Sequence, residues 1–210
     1  MIASSPRIWH TVCGDLELLE AWRAGDLGAG GRLFERHFPS VRRYFRNKVP
    51  PTEVEDLIQR TFAATVEHQH QFRGEARFVA YLLAIARSQL HRWLRARDPV
   101  RDGLDATSMS LHDLGISPSA MVAHKEAQRD VIDAMRRLPL DTQTLLELHY
   151  WEELDAGEIA IALGIERGTV RVRLTRARQA LREALTKTQV HAGTDDELDE
   201  LTRRSWDPLR

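Results

Sequence analysis

The chain has 210 residues, of which 42% are hydrophobic and 29% are charged, with a formal net charge of −1 and a pI of about 6.8. A chain of this size can bury one ordinary core or two small ones. The near-neutral balance argues against a protein that coats nucleic acid indiscriminately, although it permits local basic faces. Cys13 is the only cysteine, which excludes an internal disulfide and a cysteine metal cage.

The chain contains no apolar run long enough for a signal peptide or for the roughly 18 to 20 residues of a membrane span. We therefore expect a cytoplasmic protein that does not insert into a membrane. Apolar residues recur at three- and four-residue spacing in two blocks, and no alternating β-branched run indicates a sheet. The sequence predicts an all-α fold.

The first block, residues 15–97, divides into four predicted helices. They are expected over Asp15–Ala24, over Arg32–Lys48, from Thr52 to near Gly74, and over Ala76–Arg97. Thr52 is followed three residues later by Glu55, a capping-box pattern that predicts Thr52 as the N-cap of the third helix. Residues 98–119 are rich in Pro, Gly, Ser and Asp and predict a flexible linker, with a local turn near Leu111–Leu114.

The second block, residues 120–186, contains a helix-turn-helix pattern. We expect Asp141 to cap one helix, and Asp155 with Glu158 to form the capping box of the next. Gly164 then makes the turn, and a second helix begins near Arg167. Along that helix a buried stripe is predicted from three- and four-residue spacing: Val170, Leu174, Ala177, Leu181 and Leu185.

The stripe leaves four arginines on the flanks of the same helix, Arg171, Arg173, Arg176 and Arg178. A charged helix exterior is often only a solvated face, and that alternative stands beside the functional one. Here no acid is interleaved between the arginines, and the helix closes a helix-turn-helix. We therefore interpret them as a face that binds the major groove and the phosphates of DNA.

Two further features have open interpretations. The tail, residues 187–210, is acidic and polar, so it is either disordered or folded against another surface, with Trp206 as a docking anchor. One hypothesis is that it packs on a basic face and regulates access to DNA. His68 and His70 form an H-x-H pattern, but residues i and i+2 do not share a helix face, so no metal and no cofactor are expected.

The chain resembles bacterial sigma factors of the extracytoplasmic-function type. The resemblance is carried by "LFERHFPSVRRYF", "EDLIQRTF", "FRGEARFVAYLLAIAR" and "GTVRVRLTRARQAL", which occur in the order and spacing of that family. It implies a protein that binds core RNA polymerase and promoter DNA, and it allows an anti-sigma partner. It also implies an N-terminal extension (1–14), a sigma2-like four-helix domain (15–97), a linker (98–119), a sigma4-like domain (120–186) and the tail (187–210).

The resemblance assigns site residues by their position in these motifs. Core polymerase is assigned to Asp56, Leu57, Gln59 and Phe62. The minus-10 element, with a flipped base, is assigned to Phe72, Arg73, Phe78, Tyr81, Arg87, Arg92 and Arg95. The minus-35 duplex is assigned to Arg167, Thr169, Arg171, Arg173, Arg176 and Arg178. Where the family commonly has an acid after the Gln of "DLxQ", this chain has Arg60.

Two other function classes stay open at this point. A stand-alone helix-turn-helix regulator would bind duplex DNA without polymerase, usually as a dimer on two half-sites. An enzyme or adaptor would use the helices only as a scaffold, but the sequence contains no nucleophile–base pair, Gly-rich phosphate loop or paired carboxylates at a suitable spacing. We therefore expect no enzymatic activity.

Overall fold

The computed structural model describes residues 6–97, 110–111, 126–186 and 194–205. Its first four helices are α1 (Pro6–Arg23), α2 (Leu27–Arg46), α3 (Pro51–His68) and α4 (Phe78–Arg97). The others are α5 (Glu126–Arg136), α6 (Leu140–Tyr150), α7 (Ala156–Leu163), α8 (Arg167–Thr186) and α9 (Asp195–Arg204). Within these ranges the only other regular features are a 3-10 helix after α3 and one β-bridge, so the all-α prediction is confirmed.

Helices α1 to α4 pack around one apolar core. Leu33 and Phe45 of α2 and Leu57 of α3 are fully buried in it, and each such side chain contributes about 1.5–3 kcal/mol by leaving water. The crossing of α1 and α2 requires Gly30, because a Cβ at this position would lie 2.8 Å from the ring of Trp22. A residue with a side chain here would force the two helices apart.

The helix starts differ from the predicted ones where proline sets the backbone. Helix α3 begins at Pro51 with Pro50 as N-cap and no side-chain cap, so the predicted capping by Thr52 is wrong. Helix α6 begins at Leu140 after Pro139, so Asp141 lies in its first turn and does not cap it. A proline at or before the first turn has φ already near the helical value and has no N–H to satisfy.

Three other helix starts also differ from the sequence prediction. Helix α1 begins at Pro6 instead of Asp15, and α4 begins at Phe78, two residues after Ala76. Helix α2 begins at Leu27 instead of Arg32, because the carboxylate of Asp26 accepts a hydrogen bond from the Ala29 N–H at 3.1 Å and caps it. The spacing of apolar residues alone does not locate this helix start, because the first turn of α2 is rich in glycine and has few apolar side chains.

Helices α5 to α9 form a second cluster that includes part of the acidic tail. In α9, Leu198 and Thr202 are fully buried, and the Trp151 indole N–H donates to the Thr202 carbonyl at 3.1 Å. The tail therefore folds against the second domain over 194–205, while Trp206 lies outside the described residues. In the predicted linker, Leu111 is fully buried and Ser110 forms the bridge to Pro139; the rest of 98–119 lies outside the described residues.

The two clusters pack against each other. Helix α4 contacts α7, and Lys48, in the turn after α2, binds Glu147 of α6. Several side chains bridge this boundary, among them Arg77 to Glu158 and Arg43 to Glu152. The protein therefore adopts a closed arrangement in which its two domains share an interface.

Candidate nucleic-acid interface

Helices α7 and α8 form the predicted helix-turn-helix. The Asp155 carboxylate accepts from the N–H groups of Gly157 and Glu158 at 2.6 and 3.0 Å, and the Glu158 carboxylate accepts from the Asp155 N–H at 2.9 Å. This reciprocal capping box is confirmed. The turn at Gly164 has φ 67°, a left-handed conformation that glycine adopts without strain.

The inward side of α8 is the predicted stripe, whose residues are all buried: Val170, Leu174, Ala177, Leu181 and Leu185. All but one of the residues assigned to the minus-35 duplex are exposed. The exposed ones are Arg167, Thr169, Arg171, Arg173 and Arg176. The groups available on this side are guanidinium donors, which match phosphate and base-edge acceptors. A helix of 20 residues is about 30 Å long, which suits the major groove.

Arg178 is the residue that is not fully exposed, because α9 of the tail packs beside it and binds its side chain. Its side chain is only 28% exposed and lies 3.6 Å from the Asp199 carboxylate, and its Nε donates to the Tyr150 hydroxyl at 2.9 Å. The hydroxyl of Tyr150 in turn donates to Asp199, and burial together with this carboxylate raises the pKa of Tyr150 to about 12. No acid is interleaved in the arginine run itself, but α9 of the tail brings Asp199 to Arg178, so the tail does lie on a basic face at this point.

The folded stability of the chain is expected to depend on the protonation of His149, which is partly buried beside Arg178. The pKa of His149 lies below its ordinary 6.5, first because the ring is buried and second because the positive charge of Arg178, whose Nη2 lies 3.0 Å from the His149 Nε2, disfavours a second cation. As pH falls through 6.5, His149 therefore becomes protonated in the unfolded chain while it stays neutral in the folded chain. We expect the free energy of unfolding to fall as pH drops through 6.5, by at most about 1.4 kcal/mol per pH unit from this group.

Urea unfolding at pH 7.5 and 5.5 measures this loss. His149→Gln can still accept from Arg178 but does not titrate, so its loss of stability over this range should be smaller than that of the wild type. His70→Gln changes an exposed histidine and should keep the wild-type loss. Equal losses in the wild type and His149→Gln would contradict the assignment.

The residues assigned to the minus-10 element separate into buried and accessible ones. Phe72 and Phe78 are buried and pack edge-to-face with ring centroids 5.7 Å apart, so neither ring is free to stack on a base in this structure. Tyr81 packs against both rings, is partly exposed, and donates from its hydroxyl to the His68 carbonyl at 2.8 Å. Arg73 in the loop before α4 is exposed.

The basic end of α4 supplies further accessible groups. Arg92 and Arg95 are exposed, whereas Arg87 points to the second domain and binds Asp141 at 2.9 Å. Sequence reasoning missed Arg23, whose guanidinium donates to the Phe72 carbonyl at 2.7 Å and so holds the loop that carries Arg73. The contact joins residues 49 positions apart, which no local pattern indicates.

Arg77 also escaped the sequence analysis, although it joins the two domains. Its Nε and Nη2 donate to the two oxygens of Glu158 at 2.7 and 3.0 Å, and the side chains are 15% and 16% exposed. Glu158 is the same residue that closes the capping box of α7. One carboxylate therefore fixes the start of the helix-turn-helix and ties it to α4.

The centre of the domain interface is a buried charge cluster. The Lys48 ammonium, in the turn after α2, donates to the Glu147 carboxylate of α6 and to the Tyr44 carbonyl, and both charged side chains are almost completely buried. Gln143 donates to the same carboxylate at 2.9 Å, and Arg136 donates to the Asn47 carbonyl. Burial raises the pKa of Glu147 and lowers that of Lys48, while their attraction opposes both shifts.

The residues assigned to core polymerase lie on α3, but one of them is not accessible. Gln59 is exposed, Asp56 is half-exposed and bound by Arg60 at 2.8 Å, and Phe62 packs beside Phe34 with ring centroids 4.5 Å apart. Leu57 is fully buried and cannot contact a partner in this structure. Of the four residues assigned to core polymerase, only Asp56, Gln59 and Phe62 therefore contribute accessible surface.

The described residues contain no group of three or more His, Cys, Asp or Glu side chains that could hold a metal ion. His68 and His70 are both exposed, and His68 contacts Gln71 across 3.3 Å. Among the described helices, none is long and apolar enough to cross a membrane.

Comparison with known proteins gives two family matches in the order of the two domains. The model of sigma-70 region 2 matches residues 33–100, and the model of sigma-70 region 4 matches residues 128–181. The chain is 29% identical over 175 residues to the ECF RNA polymerase sigma-E factor of Haemophilus influenzae, which covers 80% of this chain and 93% of that protein. Identity to the factor of the same name from Escherichia coli K12 is 28%, covering 80% and 92%.

Two solved structures share the fold. CnrH in complex with the cytosolic domain of CnrY has a TM-score of 0.61 at 22% identity, covering 84% of this chain and 99% of that one. The sigma factor RpoE in complex with the anti-sigma factor NepR from Bartonella quintana has a TM-score of 0.56 at 22% identity, covering 74% and 96%. At this identity the likeness concerns the fold.

Proposed function

The chain belongs to the sigma-70 family and is a sigma factor that directs transcription initiation, and we propose that its two domains divide the promoter between them. Helices α1 to α4 engage core polymerase and the minus-10 element, and the helix-turn-helix binds the minus-35 duplex. The observation that carries this proposal is the exposed arginine face of α8, on a domain joined in one chain to the α3 and α4 surfaces. The protein acts by binding and has no catalytic step of its own.

The polymerase contact is proposed for the exposed side of α3. Asp56 and Gln59 are three residues apart and share a helix face, with the partly exposed ring of Phe62 beside them. A carboxylate, an amide and an aromatic edge suit an interface with a polar rim and an apolar anchor. Arg60 binds Asp56, so this ion pair must open when Asp56 meets a basic group of the polymerase.

The minus-10 contact is proposed for the loop before α4 and for the basic end of α4. Arg73, Arg92 and Arg95 are exposed cations suited to the phosphates of a separated strand. Of the three assigned aromatic side chains only Tyr81 is partly exposed and so available to a flipped base, while Phe72 and Phe78 support it from the core. Arg87 joins this set only after it leaves Asp141.

Promoter binding therefore requires the two domains to separate. The minus-10 and minus-35 elements lie about 25 base pairs apart, or about 85 Å at about 3.4 Å per base pair. A compact chain of 210 residues has a radius of gyration of only about 17 Å. The closed arrangement cannot span this distance, so the interface between α4, α7 and α6 is one that opens in use.

A partner that holds the closed arrangement would keep the factor inactive. Both solved structures named above are complexes: one holds CnrH with the cytosolic domain of CnrY, and the other holds the sigma factor RpoE with the anti-sigma factor NepR. We propose that this chain likewise binds an anti-sigma protein, and that it works in the cytoplasm where polymerase and promoter meet.

Run-off transcription tests the proposed function. The full chain and bacterial core polymerase are combined with fragments of host DNA, and specific transcripts are expected only when the chain is present. Arg176→Ala removes one guanidinium from the exposed face of α8 and should reduce these transcripts at least five-fold. Tight binding to duplex DNA without polymerase, together with no transcripts, would instead identify a stand-alone helix-turn-helix regulator.

The tail is expected to limit how many cations of α8 reach DNA. Asp199→Asn removes the carboxylate that binds Arg178, so one more guanidinium becomes available for a phosphate. The slope of log affinity against log salt concentration should steepen by about 0.9 for the holoenzyme on promoter DNA. Asp196→Asn removes an exposed tail carboxylate and should leave the slope unchanged. Equal slopes for the two variants would show that Arg178 does not gain a phosphate contact.

A further inference from the structure

Val172, near the start of α8, is an apolar residue on the exposed side of the helix. Successive residues of an α-helix are rotated by about 100°, so Val172 lies nearly opposite Val170, which is fully buried. Val172 is 52% exposed, one of the few large hydrophobic side chains among the described residues with this much surface in water. Arg171 and Arg173 flank it on either side of the helix.

Val172 belongs to a ridge that continues along the helix. Gly168 is four residues before it and Arg176 four residues after it, so the three positions lie in one row. A Cβ at Gly168 would have nothing within 4 Å, so the surface is open at this point. The row therefore presents bare backbone, an isopropyl group and a guanidinium, in this order, from the N-terminal end of α8.

The chemistry of this row favours one kind of contact. A valine side chain neither donates nor accepts a hydrogen bond, so it cannot hold a phosphate or recognise the polar edge of guanine or cytosine. The C5 methyl group of thymine is the apolar feature of the major groove, and apolar side chains recognise it by direct contact. The N-terminal residues of a recognition helix are those that contact base edges.

We infer that Val172 is a specificity-determining residue that contacts the C5 methyl group of a thymine in the minus-35 duplex. The inference rests on the proposed function of α8 and adds which base it selects at this position. Arg171 and Arg173, which project to the two sides of the row, bind the phosphates that border the groove. Gly168 leaves room for the helix to approach the base edges closely.

The test removes the methyl group from either partner. Holoenzyme with the full chain first transcribes a library with a randomised minus-35 region, which yields the preferred sequence. Each thymine of this sequence is then replaced, one at a time, by deoxyuridine, which lacks only the methyl group. At one position the wild-type factor should lose about three- to five-fold in run-off product, the amount expected for one buried methyl group.

Val172→Ala is expected to lower transcription from the thymine promoter and to reduce the difference between thymine and deoxyuridine at this position, because it removes the two γ methyl groups and keeps only Cβ. Alanine is the best helix former, so the variant keeps α8 intact. Glu183→Ala changes an exposed residue far along the same helix and should preserve the wild-type difference.

The outcomes separate the inference from the proposed function. If no library member is transcribed, the proposed function fails. If a preferred sequence emerges but deoxyuridine has no effect at any thymine, or if Val172→Ala distinguishes the two bases as strongly as the wild type, the function stands and the role of Val172 is overturned.

Discussion

Glu147→Ala is expected to open the closed arrangement of the two domains. The substitution leaves the Lys48 ammonium in the interface without its counter-charge, although Lys48 is completely buried. Removing one partner of a buried ion pair typically costs about 3–5 kcal/mol. This cost falls on the closed state, because Lys48 regains water as soon as α2 and α6 separate. We therefore expect a shift towards separated domains while each domain stays folded.

The separation is measurable as a distance between two spin labels. A Cys13→Ser background carries Glu35→Cys on α2 and Glu183→Cys on α8, both at exposed positions. The label distance should move to longer and broader values in Glu147→Ala. Glu152→Ala, which breaks the more exposed pair with Arg43, should give a smaller shift.

A paired replacement distinguishes loss of attraction from loss of packing. Lys48→Met combined with Glu147→Leu removes both charges and keeps apolar volume, which is often neutral or stabilising at a buried site. This variant should keep the domains together and should transcribe less when polymerase is limiting. An unchanged label distance in Glu147→Ala would show that the Lys48 pair does not hold the interface.

The sequence predicted the parts of the fold that depend on neighbours along the chain. The buried stripe of α8 and the capping box of Asp155 and Glu158 both follow from residue spacings of three or four along the chain, so the sequence is sufficient to find them. The predicted cap at Thr52 failed because Pro50 and Pro51 already fix the start of α3. A capping-box pattern in the sequence does not set the helix start when a neighbouring proline sets it one or two residues earlier.

The interface between the domains could not be predicted from the same patterns. Arg87 and Asp141 are 54 positions apart, and Lys48 and Glu147 are 99 apart, so each looks like a solvated charge on its own helix. The hypothesis that the tail packs on a basic face named no residue pair, and the pair of Asp199 with Arg178 emerges only from the packing of α9. Charged residues carry no mark of their partner in the sequence, and only the packing of the helices brings them together.

Burial likewise changes how the assigned site residues are interpreted. Phe78 follows the three- and four-residue spacing of the buried side of α4, with Leu82 and Ala86, and this spacing agrees with its position in the core. Leu57 is a similar case on α3, since it lies within the motif assigned to polymerase and yet belongs to the inward side. The two interpretations predict different measurements at Leu57.

Leu57→Ala is expected to lower the free energy of unfolding by about 2–5 kcal/mol, because it removes a fully buried side chain and leaves a cavity between α3 and its neighbours. Gln59→Ala changes an exposed residue on the same helix and should alter stability by no more than about 0.5 kcal/mol. Urea unfolding followed by circular dichroism measures both values. The two substitutions lie two positions apart and so probe opposite sides of α3.

Competition for core polymerase completes the comparison. Gln59→Ala should weaken polymerase binding while the chain stays folded, because its amide faces the proposed interface. Leu57→Ala, assayed at a temperature where it remains folded, should bind polymerase nearly as well as the wild type, because no polymerase atom reaches a side chain in the core. A Leu57→Ala variant of wild-type stability with weakened binding would instead place Leu57 in the interface, which requires α3 to rotate when polymerase binds.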